Sequence, residues 1–218
     1  PAPGTPEAQA QAEAEPPIVH KDYETVVAVE ALDRWIAKAT ATGVVAVDTE
    51  TDHVDCVRAR LVGVSLATDR GKACYIPLGH GGDGLLSEAP AQIPIDVAIA
   101  KLRPLLENPA VLKIGQNIKY DMIMFRKAGI EVAPYDDTML LSYALDAGRG
   151  SHGMDDLAKR HLDHACIEFK TVCGTGKSQI TFDKVPLDRA TEYAAEDADV
   201  TYRLWCKLKP RLSPEAAT

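Results

Sequence analysis

Two acidic residues, Asp48 and Glu50, have a spacing that could hold a divalent cation. They lie two residues apart at the end of the apolar run 43–48 (GVVAVD), so their side chains share one face of a predicted strand. Two carboxylates on one face of a buried strand are unfavourable unless a positive charge lies between them. Paired carboxylate oxygens suit a hard ion such as Mg²⁺ or Mn²⁺. The alternative is that both acids lie just beyond the strand end, in solvent.

Two further pairs of polar residues are spaced one helical turn apart. Asn117 and Asp121 follow a Gly-Gln pair and share one face of a predicted helix, whose N-terminus could meet phosphate oxygens. Tyr193 and Asp197 lie four residues apart in the last predicted helix, where the alanines between them allow another element to approach closely. Taken singly, Asn117 could be only a helix cap, and both acids could belong to ordinary helix surfaces.

The remaining sequence predicts an α/β fold that would position these residues. Strands are predicted at 43–48, 61–66, 73–77 and 111–115, with a short extended segment near Val132. Helices are predicted at 33–40, 96–106, 117–128, 137–146, 153–163 and 186–208, and residues 165–185 are predicted to be irregular. Three strands in a meander followed by α/β units indicate a mixed sheet with helices on both faces.

Composition excludes several classes of protein. The chain has 218 residues, 46% of them hydrophobic, and a formal charge of −8, so it can bury a core and is not disordered throughout. No apolar stretch approaches the roughly 20 residues of a membrane helix, and the N-terminus lacks the apolar region of a signal peptide. Five cysteines with scattered spacing favour a reduced intracellular compartment.

Composition also divides the chain into three parts. Residues 1–20 are rich in Pro, Ala, Glu and Gln and contain no Lys or Arg, which predicts a disordered linker over 1–21. One domain is predicted over 22–210, followed by a C-terminal tail over 211–218. A Pro/Ala/Glu-rich start without Met favours a piece of a larger protein.

The three spacings together resemble the motifs of the DEDD exonuclease superfamily. Asp48-x-Glu50, Asn117-x3-Asp121 and Tyr193-x3-Asp197 occur in that order on strand, helix and helix, and the tyrosine is typical of one subgroup. The blocks VVAVDTETD, LLENPAVLKIGQNIKYD and YAAEDADVTYRL are similar to the proofreading domain of bacterial family A DNA polymerases. The resemblance covers about residues 22–210 and implies an RNase H-like fold with a mixed five-stranded sheet.

This resemblance implies a 3′-5′ exonuclease that releases nucleoside 5′-monophosphates from the 3′ end of single-stranded or frayed DNA. Two divalent ions, Mg²⁺ or Mn²⁺ with Zn²⁺ as a further candidate at the first site, would assist hydrolysis at a separation of about 4 Å. Asp48 would bridge the ions, Glu50 and Asp197 would complete the first site, and Asp121 would hold the second. Tyr193 and Glu50 would orient the attacking hydroxide.

The resemblance also implies contacts to the DNA strand. The positions that match are Thr49, Val54, Gln116, Asn117, Lys119 and Phe169. Val54 would be a wedge between the last two bases, smaller than the family's Leu, and Phe169 would stack on a base. The family commonly has an Arg immediately before the HxMD segment, where this chain has Ser151. Arg149 is the candidate to replace that contact.

The resemblance further implies a polymerase domain in the parent chain, which would deliver the 3′ end to a monomeric exonuclease domain in the bacterial cytoplasm, at the nucleoid. The linker acids and the four site carboxylates account for most of the net charge, so weak, metal-dependent DNA binding is expected. Two alternatives remain: a stand-alone 3′-5′ exoribonuclease, since discrimination depends on room for a 2′-OH, and a non-catalytic module that binds 3′ ends.

Two other patterns are weak evidence for a phosphate-binding loop and for a zinc site. The GTGKS run at 174–178 lacks the first glycine of a phosphate-binding loop and follows no buried strand. His161, His164 and Cys166 cluster near a helix end, with Cys173 as the nearby candidate for a fourth zinc ligand. Surface histidines are the preferred interpretation of that cluster.

Overall fold

The computed structural model describes residues 16–81 and 89–215, with side chains described as far as Leu212. The strands are β1 (Glu24–Thr25), β2 (Val44–Thr51), β3 (Leu61–Asp69), β4 (Lys72–Pro77), β5 (Leu112–Gly115) and β6 (Tyr135–Asp137). The helices are α1 (Val29–Thr42), α2 (Ile95–Leu106), α3 (Lys119–Lys127), α4 (Thr138–Asp146), α5 (Met154–Leu162), α6 (Phe169–Cys173) and α7 (Leu187–Glu215).

The strands form one mixed sheet in the order β1-β4-β3-β2-β5-β6. β2, β3 and β4 form the predicted antiparallel meander, whereas β5 and β6 lie parallel to β2. The predicted α/β class and mixed sheet are confirmed, but the sheet has six strands among the described residues rather than five. The additional strand, β1, has two residues paired with β4, too few to produce an alternating pattern in the sequence.

Alternation along β2 separates the two faces of the sheet. Val45 and Val47 are fully or almost fully buried in the core formed with α1, α2 and α3. Ala46 lies on the opposite face, where it is buried together with Ala195 and Ala198 of α7. Small side chains at this contact allow α7 to pack closely on the strand, and the same face of β2 continues to Asp48 and Glu50.

Helix α7 is longer than its sequence pattern predicted. It begins after Pro186, as predicted, but continues past Leu208 to Glu215, into the predicted C-terminal tail. Leu204 and Leu208 are completely buried against residues of α4 and α5, including Leu141 and Leu157, and Leu212 of the extension is partly buried against the same group. The extension is therefore a packed helix, because α4 and α5 cover its apolar side.

The segment before β1 packs against the domain. Residues 1–15 of the predicted linker lie outside the described residues, but a 3₁₀ turn forms at His20–Asp22 and Arg203 donates a hydrogen bond to the carbonyl of Pro16 over a distance of 2.5 Å. A five-residue helix, α6, and two further 3₁₀ turns occur in the segment predicted to be irregular. Among the described residues, every helix is too short or too polar to cross a membrane.

Candidate active site

Three carboxylates meet where β2 and α7 pack together. One oxygen each of Asp48, Glu50 and Asp197 lies within 4.8 Å of the other two. Glu50 and Asp197 are buried and Asp48 is half-buried. The structure therefore brings together three of the four acids for which the sequence predicted metal binding, and it places Asp48 and Glu50 within the strand instead of beyond its end.

The fourth acid, Asp121, reaches the same strand from the first turn of α3. Its Oδ1 accepts hydrogen bonds from the backbone N–H of Thr49, at 2.9 Å, and from the Thr49 hydroxyl, at 2.5 Å. Asp121 is buried, and its negative charge is one of those that raise the pKa of Glu50. Thr49, predicted as a contact to DNA, thus has both of these donor groups directed to Asp121, so its side chain orients a carboxylate.

Burial without a compensating cation raises the pKa of all four carboxyls. Desolvation is the largest cause in each case, and repulsion follows, from Asp197 on Asp48 and from Asp48 on both Glu50 and Asp121. No lysine or arginine within the described ranges lowers the pKa of any of the four. A cluster of hard oxygen donors with uncompensated charge fits divalent cations.

Tyr193 completes this cluster from α7, one turn before Asp197. Its ring packs against two phenylalanines, with centroid distances of 6.2 Å to Phe169 and 5.8 Å to Phe182, and its hydroxyl partly offsets the rise in the pKa of Asp197. Burial first, and then the charge of Asp197, raise the pKa of Tyr193 far above its ordinary value. The phenol therefore stays protonated and is available as a hydrogen-bond donor.

Asp137 is a site-forming residue that the sequence analysis did not identify. Asn117 has a left-handed backbone, with φ 60°, and the carboxylate of Asp137 accepts from the N–H groups of Asn117 at 2.9 Å and Ile118 at 3.1 Å. The same carboxylate caps α4 by accepting from Met139 at 2.9 Å. Asp137 thus holds the turn from which α3 and Asp121 start. The signal was an Asp-Thr pair at a predicted helix start, which is typical of an N-cap.

Replacing Asp137 with alanine is therefore expected to lower the free energy of unfolding by about 2–3 kcal/mol, because several N–H groups that are partly or fully buried lose one acceptor. Urea denaturation of Asp137→Ala and Asp137→Asn measures this, and the asparagine should retain part of the stability. Asp156, an exposed acid in α5, provides the control Asp156→Ala. Equal stability of Asp137→Ala and the wild type would contradict the role.

An open groove of about 420 Å³ begins at Glu50. It contains Val54, which is 91% exposed, and Phe169, which is 43% exposed. The structure therefore brings together the two apolar residues predicted to contact bases. Ile180, 37% exposed, lines the same groove. Sequence analysis missed it because its segment has no helix or strand periodicity.

The amides and the cation predicted near the start of α3 are already engaged within the protein. Gln116 donates to the carbonyl of His152 at 2.8 Å and accepts from the hydroxyl of Thr138 at 2.5 Å. The Lys119 ammonium donates to the side-chain oxygen of Asn117. These residues form a rigid turn beside Asp121, and any contact to a nucleic acid would use their remaining donors.

Arg149 lies on the surface, in the loop between α4 and α5. Its side chain is 81% exposed, and its guanidinium is 3.7 Å from Asp146 at the end of α4. The structure therefore does not bring Arg149 into the carboxylate cluster. The carbonyl of Ser151, predicted to occupy the position of the family's arginine, accepts a hydrogen bond from Arg160 at 2.7 Å, so a second cation also lies at this loop.

Comparisons with known proteins confirm the family indicated by the motifs. A sequence model described as a 3′-5′ exonuclease matches residues 23–213. DNA polymerase I of Rhizobium leguminosarum is 50% identical over 97% of the chain, and DNA polymerase I of Pseudomonas aeruginosa is 42% identical over 93% of it. The chain spans 22% and 23% of the length of these two relatives.

Solved structures show the same fold at lower identity. Brucella melitensis NrnC with bound Mg²⁺ has a TM-score of 0.60 at 23% identity, covering 83% of this chain and 78% of that one. Escherichia coli RNase D, an exoribonuclease, has a TM-score of 0.64 at 18% identity, covering 89% and 46%. With half of its residues shared with one such polymerase and a family match over 23–213, the chain belongs to the 3′-5′ exonuclease family found in bacterial DNA polymerase I.

Proposed function

We propose that this chain hydrolyses phosphodiester bonds at the 3′ end of single-stranded or frayed DNA and releases nucleoside 5′-monophosphates, as the proofreading part of a DNA polymerase. The observation that carries the proposal is the position of the buried carboxylates at the start of the groove. Glu50 belongs both to the acidic cluster and to the groove wall that contains Val54 and Phe169. A strand end in the groove would therefore place its terminal phosphodiester beside the carboxylates.

The four carboxylates would hold two divalent ions, Mg²⁺ or Mn²⁺, with Zn²⁺ as a further candidate at the first site. The fit follows from the donor chemistry: Asp48, Glu50 and Asp197 converge within 4.8 Å, and Asp121 adds an oxygen held in place by Thr49. When bound, such ions supply charge neutralisation for the phosphoryl oxygens and lower the pKa of water.

The protein's own groups would orient the attacking water. Tyr193 stays protonated because burial and Asp197 raise its pKa, so its hydroxyl can donate a hydrogen bond in the site. Glu50, once ionised, can accept one. Phe169 and Phe182 both pack against the Tyr193 ring and would limit its rotation, which would keep the donor directed at the cluster.

The groove would separate and hold the last bases of the strand. Val54 is almost fully exposed at its wall, as a wedge between two bases must be, and the partly exposed ring of Phe169 offers a stacking surface. The sequences of the relatives extend far beyond this domain. We therefore infer that a polymerase domain of the parent chain delivers the 3′ end, since the acidic domain attracts DNA only weakly.

Digestion of a 5′-labelled oligonucleotide tests the proposal directly. With Mg²⁺, products shortened one nucleotide at a time from the 3′ end are expected, together with free nucleoside 5′-monophosphates, and a chelator should stop the reaction. A matched RNA oligonucleotide should be degraded more slowly than DNA. Faster degradation of RNA would favour an exoribonuclease, and binding of the 3′ end without shortening would favour a non-catalytic module. Either result would overturn the proposal.

Loss of the stacking ring is expected to weaken substrate binding more than catalysis. Phe169→Ala should raise the KM for single-stranded DNA by roughly 5- to 160-fold, because base–aromatic stacking contributes about 1–3 kcal/mol per base. Phe169→Tyr should restore most of the affinity. Val27, an apolar residue that is 39% exposed outside the groove, provides the control Val27→Ala. An unchanged KM for Phe169→Ala would exclude the ring from strand binding.

A further inference from the structure

A second cluster of metal-ligating side chains lies beside the active site but uses different residues. Glu196 is completely buried in α7. Its Oε1 lies 2.7 Å from Nε2 of His20 and 2.8 Å from Nε2 of His164. Its Oε2 accepts a hydrogen bond from the backbone N–H of Ile167 at 2.6 Å. Two imidazoles therefore converge on one carboxylate oxygen, while the other oxygen is held by the backbone.

These side chains come from distant parts of the chain. His20 belongs to the 3₁₀ turn before β1 and is 176 residues from Glu196 in sequence, whereas His164 follows α5. One ligating atom from each of the three lies within 4.8 Å of the others, as in the active-site group. The fold thus assembles a His₂Glu set, which the sequence analysis missed because it examined His164 only with neighbouring residues.

The donor set is that of a three-ligand zinc site. Two imidazole nitrogens and one carboxylate oxygen bind Zn²⁺ and leave a fourth position for water. The backbone N–H of Ile167 donates to Oε2 and fixes the orientation of the carboxylate. Groups that hydrogen-bond to metal ligands usually have this role. Nitrogen donors favour Zn²⁺ over Mg²⁺, so this cluster would select zinc, whereas the all-oxygen active site would also accept Mg²⁺ or Mn²⁺.

Solvent can reach the cluster. The side chains of His20 and His164 are 35% and 22% exposed, respectively. A cavity of about 270 Å³ borders His164 and is lined by Pro17 and Ile18 of the entering segment. An ion and its water ligand could therefore enter without unfolding of the domain.

We propose that His20, His164 and Glu196 form a zinc site, separate from the active-site carboxylates, that fastens the segment entering the domain to α7. The bound Zn²⁺ would neutralise the buried Glu196 carboxylate and connect the turn before β1 with the residue next to Asp197. The site includes none of the four active-site carboxylates. Zinc binding there can therefore be tested separately from the exonuclease activity.

Zinc binding is tested in a background that lacks the active-site cluster. In the double variant Asp48→Ala/Glu50→Ala, equilibrium dialysis with Zn²⁺ alone and elemental analysis should find one zinc per chain. Adding His20→Ala or His164→Ala should weaken zinc binding by about 100-fold or more. Even residues that only hydrogen-bond to a metal ligand contribute roughly 10- to 100-fold to metal affinity. His161→Ala is the matched control, because this histidine of α5 is not one of the three ligands.

Two further measurements distinguish a zinc site from a purely hydrogen-bonded cluster. Zinc at roughly a hundred times its Kd should raise the Tm of the background protein by about 5 °C or more, and it should slow tryptic cleavage after Lys21. Both effects should disappear in His164→Ala, whose zinc-free circular dichroism verifies the fold. Absence of zinc from the background protein, or His20 and His164 variants that still bind it, would overturn the proposal.

Discussion

Asp48→Asn is expected to reduce the rate of 3′-end hydrolysis by about 1,000-fold or more. Asp48 is the central acid of the cluster: it shares a 4.8 Å group with Glu50 and Asp197, and its charge raises the pKa of both Glu50 and Asp121. Glu50 interacts with the same acids, so the family resemblance, and not the charge pattern alone, assigns Asp48 to both ions. Losing several kcal/mol of charge stabilisation corresponds to a factor of this size.

Single-turnover digestion of 5′-labelled single-stranded DNA at saturating Mg²⁺ measures the effect on the chemical step. Asp156→Asn is the matched control, because it removes an exposed acid from α5 and should leave the rate unchanged. Circular dichroism and the metal-free Tm should show that Asp48→Asn folds normally. A rate within tenfold of the wild type would contradict the assignment of Asp48 and, with it, the proposed metal site.

The central part of the site could be predicted because short spacings determine it. Alternation along β2 places Asp48 and Glu50 on one face of the strand, and the helical repeat places Tyr193 and Asp197 on one face of α7. Burial of Ala46 against α7 then brings the two faces together. Each spacing lies within five residues, and the contact between strand and helix uses small side chains. The sequence pattern therefore indicates both.

Other parts of the site depend on contacts between distant residues and left no local pattern. The resemblance predicts Thr49 as a DNA contact, but α3 places Asp121 against its hydroxyl. Asp137 reads as the cap of α4, but the parallel pairing of β5 and β6 also brings it to the turn at Asn117. The proposed zinc site requires His20, which no motif connects with α7.

Glu50→Gln is expected to stabilise the metal-free protein while it abolishes activity. Glu50 is buried, and Asp48, Asp197 and Asp121 all repel its negative charge. Removing that charge should raise the free energy of unfolding in a chelator at pH 8 by about 1–3 kcal/mol, since a buried charge without a partner is costly. Thermal denaturation of both proteins in chelator measures the difference, with Asp156→Asn as the control.

The pH dependence of that difference has a definite sign. Because the pKa of each site carboxyl is raised by folding, the native state binds more protons than the unfolded state above about pH 4. Stability is therefore lost as pH rises through the raised pKa values. His80 and His161 have lowered pKa values and oppose this trend only as pH falls below about 7.

Between pH 7 and 9, the metal-free wild type should therefore become less stable relative to Glu50→Gln, as its buried carboxyls ionise. Mg²⁺ should remove the deficit in the wild type, because the ion supplies the positive charge that the described lysines and arginines do not supply to these carboxyls. It should stabilise Glu50→Gln less, since that variant has lost one ligand. A variant that is less stable than the wild type in chelator would mean that the carboxylates are already compensated within the protein, and the argument from uncompensated charge to bound cations would fail.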